Sequence, residues 1–199
     1  MKRAVLFSIK PKWVERILSG EKTIEVRKTV PKIKTPFKCY IYCTQSGIYK
    51  DGISVKNIWI KRGTENRFIG NGKVVGEFVC DKIYEYPYLS WKDTSLRGDP
   101  INADQYSSSA VCPESQLTQK MLLEYGDGKT LYGWHITNVK VFEEPKDITD
   151  FTYFKKCRRC NRKETGLHTT CDSFDENCEY PVSLERPPQS WCYVEDLGG

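Results

Sequence analysis

The ten residues SGEKTIEVRK (19–28) join a turn, a lysine and a strict alternation of apolar and charged side chains. On a strand, Ile24 and Val26 face one side while Thr23, Glu25 and Arg27 share the other. A sheet face that is merely wet tolerates any polar residues. An acid, a base and a hydroxyl together suit recognition, because a planar guanidinium grips a phosphate or a base edge and a carboxylate accepts from an amine or a sugar hydroxyl. This face reads as the wall of a binding cleft. The alternative is an ion-pair network that fixes the strand beside the preceding helix.

The second group of chemically capable residues lies near the other end. Cys157 and Cys160 form a C-x2-C pair, followed after ten residues by Cys171 and after six more by Cys178. Four thiolates in such an arrangement can close a tetrahedral structural zinc site, with His168 or Cys192 able to replace a later ligand. The competing reading is thiols packed as small hydrophobes. A stretch this poor in aliphatic residues has little core of its own, which makes a metal staple physically reasonable. Basic residues surround the first pair, but Asp172, Asp175, Glu176 and Glu179 follow closely, so the cluster is not assigned to binding.

The frame that must position these groups is a globular chain of 199 residues, 39% hydrophobic and 29% charged, with no tract biased enough for disorder. No segment approaches a membrane span, and the opening MKRAVLFSIKPKW is a first strand cut by Lys10 and Pro11 rather than a signal peptide. A cytoplasmic location with reduced cysteines is expected. Net charge is +5, yet residues 1–34 carry ten Lys or Arg against three Glu, leaving the remainder slightly acidic. Such a concentrated positive region attracts phosphates, unless it is only a solvated surface.

Strands are expected at AVLFSI (4–9), TIEVRK (23–28), KCYIYCT (38–44), GKVVGEFVCDKIYEY (72–86) and LYGWHITNVKVF (131–142). Helices are expected over 11–20, with Pro11 in the first turn and Gly20 as the stop, and over 115–126, started by Ser115 or Thr118. Gly76 marks a bulge or a close backbone approach. Residues 44–72 read as loops and a hairpin. ERPPQSWCYV (185–194) ends in an alternating strand that returns to the main body, where Ser190 and Trp191 either line the cleft or, for Trp191, pack on the core. Strands outnumber helices, which points to a barrel or sandwich with helices outside it.

SIKPKWVERILSGEKTIEVRK, with CYIYCT, GKVVGEF and YGWHI after it, resembles the ASCH domain of the PUA-like superfamily over roughly residues 3–145. The resemblance implies an α+β, mainly β fold, a PUA-like small β-barrel with flanking helices, here followed by a Cys-rich C-terminal extension. The expected division is 1–148 for the barrel and 149–199 for the extension. The resemblance also implies a cleft that binds RNA, a nucleotide or a modified nucleoside, with Lys22, Glu25 and Arg27 at the positions of the family's cleft motif. Lys10, Lys12, Trp13, Tyr42, Thr44, Ser190 and Trp191 are grouped with that trio as ligand-binding candidates. Trp13, Tyr42 and Trp134 are able to stack on a base, although Trp13 and Trp134 equally suit a core.

Two other function classes stay in view. The first is an enzyme in the same cleft, either a nuclease on single-stranded RNA or an amidohydrolase on acylated nucleosides, with Lys22, Glu25 and Glu77 as the candidate catalytic groups. The amidohydrolase reading, which comes from the resemblance to small bacterial members of the family, is weakened because Glu25 stands where that resemblance implies a threonine nucleophile, and a carboxylate does not replace an activated hydroxyl. The second is a protein-interaction adaptor working through the Cys-rich tail.

Overall fold

A computed structural model describes residues 2–45, 72–87, 114–156 and 179–198, together with the backbone of short strands between and beyond them. In chain order the elements are β1 (Arg3–Ile9), α1 (Pro11–Leu18), β2 (Ile24–Arg27) and β3 (Phe37–Cys43). Two hairpins follow: β4 (Ile48–Lys50) with β5 (Ile53–Val55), and β6 (Asn57–Arg62) with β7 (Glu65–Gly70). Then come β8 (Val74–Tyr86), the two-residue strands β9 (Arg97–Gly98) and β10 (Tyr106–Ser107), α2 (Gln119–Gly126) and β11 (Leu131–Lys146). The last three strands are β12 (Thr152–Lys156), β13 (Glu179–Ser183) and β14 (Trp191–Glu195).

The main sheet has six strands in the order β14-β1-β3-β8-β11-β2. β1 runs parallel to β3 and antiparallel to β14, pairing Arg3 with Glu195 and Phe7 with Trp191. The chain's final strand is therefore an integral edge of the sheet. Among the described residues no ladder joins β2 to β14, so the sheet is open where the sequence analysis expects a closed small barrel. The reason is local: β2 has only four residues, and the guanidinium of Arg27 spans to β1 instead, donating to the Ser8 carbonyl at 2.9 Å.

Alternation on β3 decides which face each residue serves. Cys39, Ile41 and Cys43 join Phe7, Val14, Ile17, Phe78 and Trp134 in the largest core, under α1. Tyr40 and Tyr42 point the other way, into a second core with Leu6, Phe151 and Val194. A third core seats α2 through Leu122 against Ile24, Val26, Tyr84, Tyr86 and Leu131. The two long strands bend rather than lie flat: β8 and β11 change register three times. At Gly76 a Cβ would stand 2.5 Å from the Lys140 carbonyl oxygen, so the expected close approach is present and only glycine fits it.

Both helices carry legible boundary chemistry. Pro11 opens α1 at a position that needs no N–H, and Gly20 follows it with a φ of +81°, the left-handed region glycine enters at no steric cost. Thr118 caps α2 by accepting from the Met121 amide through its side chain. Among the described residues no helix is long and apolar enough to cross a membrane.

Candidate functional site

β2 reaches the site because its two faces have different partners. Ile24 and Val26 sit against α2, while Glu25 and Arg27 turn toward the end of β1 and the start of α1. The space between is a cleft of about 420 Å³. Ser8, Ile9, Lys10 and Trp13 form one wall, and Leu117, Met121 and Tyr125 of the α2 region form another. Lys22, Glu25, Val26 and Arg27 make the floor, closed off by Thr44 after β3 and by Gln189 and Ser190 ahead of β14.

The floor is a buried chain of charges. Lys22 is 2% exposed and its Nζ donates to the carbonyls of Ile24 and Ser115, both at 2.7 Å, while lying 3.3 Å from Glu25 Oε2. Those three acceptors use the three N–H groups of an ammonium. Burial lowers the Lys22 pKa, and the Glu25 carboxylate works against that shift. Glu25 Oε1 is 2.9 Å from Arg27 Nη2, which also holds the Ser8 carbonyl. Arg27 Nη1 reaches Ser190 Oγ at 3.4 Å, its guanidinium lies over the Phe7 ring, and its Nε is buried without a hydrogen-bond partner.

This arrangement merges the two readings of the 19–28 stretch: the trio is an ion-pair network and the cleft floor at once. Lys22 and Arg27 have spent their donors mostly on protein. Glu25 is different, since a carboxylate offers about four lone-pair sites and its two cations occupy only part of them. It is the floor's hydrogen-bond acceptor. Tyr125, 39% exposed, has its hydroxyl pKa raised by burial, with Arg27 opposing and Glu25 adding, so it remains a donor at neutral pH.

Of the expected ligand-binding residues, Lys10, Trp13, Lys22, Glu25, Arg27, Thr44 and Ser190 all line this one cleft. Tyr42 does not: it is 5% exposed and belongs to the core on the opposite sheet face. Lys12 stands outside the lining, its Nζ 4.9 Å from the centre of the Trp13 ring. Trp191 takes the packing role, edge-on to Trp134 and donating from Nε1 to Thr29 Oγ1 at 2.9 Å. Trp134 is fully buried between Phe7 and Phe37 and is no stacking platform. Glu77 pairs with Lys38 and Lys140 across the sheet, away from the cleft, because β8 faces it to those strands.

Cys157, Cys160, Cys171, Cys178 and His168 lie outside the described residues. Cys192 is on β14, paired in register with Leu6, and burial pushes its thiol up to about 11. Among the described residues no group of three or more His, Cys, Asp or Glu is arranged to hold a metal. Ser8, Ile9, Val26, Leu117, Met121, Tyr125 and Gln189 also line the cleft and are not among the residues expected from the sequence. The i, i+4 spacing of Met121 and Tyr125 on α2 was the one available signal for a second helix facing the cleft.

Neither a protein-family model nor a curated protein matches the sequence. Solved structures do match the fold. An ASCH protein from Zymomonas mobilis superposes with a TM-score of 0.52 at 14% identity, covering 96% of this chain and 87% of that one. Two single-residue mutants of it give the same TM-score, at 13% and 14% identity over 96% of this chain and 90% and 88% of theirs. The chain shares the ASCH fold.

Proposed function

We propose that this chain binds a nucleotide unit of RNA, or a free nucleoside or nucleotide, in the cleft floored by Lys22, Glu25 and Arg27. The observation that carries the proposal is the floor itself: a buried carboxylate with unused acceptor capacity, set between two cations, in a cavity of about 420 Å³ walled by Trp13 and Tyr125. A cavity of that size suits one small ligand, since such sites span about 300–1,000 Å³. Glu25 would accept from an exocyclic amine or ring N–H, and Tyr125 and Ser190 would supply the donors. Support also comes from the resemblance of the 11–28 stretch to the ASCH cleft motif.

Catalysis in the same cleft has less behind it. The lowered pKa of Lys22 arises from burial against protein acceptors, with no hydroxyl nucleophile bonded to its Nζ. A structural zinc in the Cys-rich stretch remains part of the proposal and acts only on the tail's stability.

The test is calorimetric titration of the four ribonucleoside monophosphates and their nucleosides into wild-type protein and into Trp13→Ala and Tyr125→Ala. At least one ligand is expected to bind, and each variant is expected to weaken it by about tenfold, the value of one aromatic contact with a base. Absence of binding by every ligand, or binding indifferent to both substitutions, would remove the cleft as the site.

A further inference from the structure

Apart from Lys10 in its wall, the cations described at the cleft divide into two sets. Those on the cleft floor are committed inward: Lys22 is saturated by Ile24 O, Ser115 O and Glu25, and the two Nη groups of Arg27 are engaged by Glu25, Ser8 O and Ser190, its Nε being buried. Around the mouth stand Lys12, Arg16 and Lys28, none paired with a carboxylate among the described residues. These three are gathered on aromatic rings that border the opening. Lys12 Nζ and Arg16 Cζ lie 4.9 and 5.7 Å from the centre of Trp13, and Lys28 Nζ lies 5.1 Å from the centre of Tyr125. Trp13 and Tyr125 belong to different helices yet both line the cleft. Arg16 is further held in place by Gln116, which accepts from its Nη1 at 2.6 Å.

A phosphate finds the floor's cations held by protein acceptors, with only the buried Arg27 Nε unpartnered, and meets point charges at the rim, while a base finds an acceptor on the floor and flat faces at the rim. From this separation we infer that the ligand enters base-first, and that Lys12, Arg16 and Lys28 form a phosphate-binding rim along which an RNA strand continues past the cleft. The inference rests on the cleft reading above and adds the ligand's orientation and its length. Two aromatic faces each flanked by a cation are the components with which proteins hold unpaired strands, and they offer nothing to a duplex whose bases are already stacked.

The experiment compares one nucleoside, which carries no phosphate, with an RNA hexamer, single-stranded or as a duplex, on wild-type protein and on the double variant Arg16→Gln/Lys28→Gln, over roughly 50 to 300 mM salt. Neither substituted residue lines the cleft. The single-stranded hexamer is expected to bind the wild type about tenfold or more tightly than the nucleoside. The double variant is expected to erase that advantage and flatten the log–log salt slope by about 1.4, at about 0.7 per phosphate, with nucleoside affinity unchanged. A nucleoside that binds as well as the hexamer, a duplex that binds as well as the single strand, or a double variant that alters both ligands equally would overturn the rim while leaving the cleft standing. If neither probe binds the wild type, the cleft reading fails and the rim with it.

Discussion

Replacing Glu25 by Gln tests the electrostatic logic of the floor. Glu25 is 7% exposed and neutralises two cations, of which Lys22 is 2% exposed and Arg27 8%. The substitution keeps the shape and removes the charge, leaving both cations buried with no counter-ion. Breaking a buried ion pair from one side costs about 3–5 kcal/mol. For a chain of this length each kcal/mol moves the unfolding midpoint by about 2–4 °C, so a drop of about 6–20 °C is expected. The pH dependence has a definite sign. Burial already lowers the folded-state pKa of Lys22 below its ordinary 10.5, with Glu25 opposing, and loss of Glu25 lowers it further. A depressed lysine binds its proton less tightly folded than unfolded, so its charge is a penalty below the folded pKa that is relieved as pH rises toward 10.5. The deficit of Glu25→Gln relative to wild type is therefore greatest near neutrality and shrinks on the alkaline side. Adding Lys22→Met should recover much of it. Thermal unfolding followed by circular dichroism across that pH range is the assay. A deficit below about 1 kcal/mol, or one that grows with alkalinity, would refute the claim that Glu25 is the counter-ion of a buried cluster.

Leu122→Ala removes the fully buried residue that seats α2, and should cost about 2–5 kcal/mol in urea unfolding while weakening any ligand that touches Tyr125; an unchanged midpoint would mean that α2 is not held by this core. Asp196 is disfavoured by burial, but hydrogen bonds from Lys38 and Tyr40 outweigh this and hold its carboxyl below the usual 3.8. Its contribution is therefore present above pH 3.8 and lost as pH falls through the folded value, so Asp196→Asn should destabilise at neutral pH and converge on wild type in acid unfolding curves. Metal analysis of protein purified without added metal should find about one zinc per chain, bound by the C-x2-C pair and later cysteines, and lost in Cys157→Ser; a metal-free protein would end that reading.

The strands and helices flanking the cleft were readable because each carries both a periodicity and a boundary residue. Pro11 and Gly20 bracket α1, Thr118 caps α2, and the alternation of 23–28 correctly separates Ile24 and Val26 from Glu25 and Arg27. Alternation also separates Tyr42 from Cys43, but it does not say which of two buried faces lies toward the cleft, and Tyr42 belongs to the core on the opposite sheet face. Glu77 and Trp191 show a related limit. Their residue types suit a site, yet their roles were set by cross-strand partners, Lys38 and Lys140 for one and Trp134 for the other, that no local pattern names. Lys22 was legible as a cation and not as a saturated one, because Ser115, whose carbonyl it holds, is far along the chain. The open sheet was likewise hidden, since the length of β2 and the reach of Arg27 decide it.

The pairing of β1 with β14 joins residue 3 to residue 195, and the turn before β14 delivers Gln189 and Ser190 to a cleft otherwise built largely from residues 8–44 and 117–125. While the chain is being made, a ribosome has released α1 and β2 long before it reaches β14. Until then one edge of β1 has no ladder partner and the cleft lacks a wall, so the cleft is complete only once β14 has been made. Loop closure over such a span is slow, and an uncovered strand edge invites pairing with other chains. Premature termination short of residue 191 would thus leave a product with an uncovered edge of β1, prone to aggregate, whatever the integrity of its charged floor.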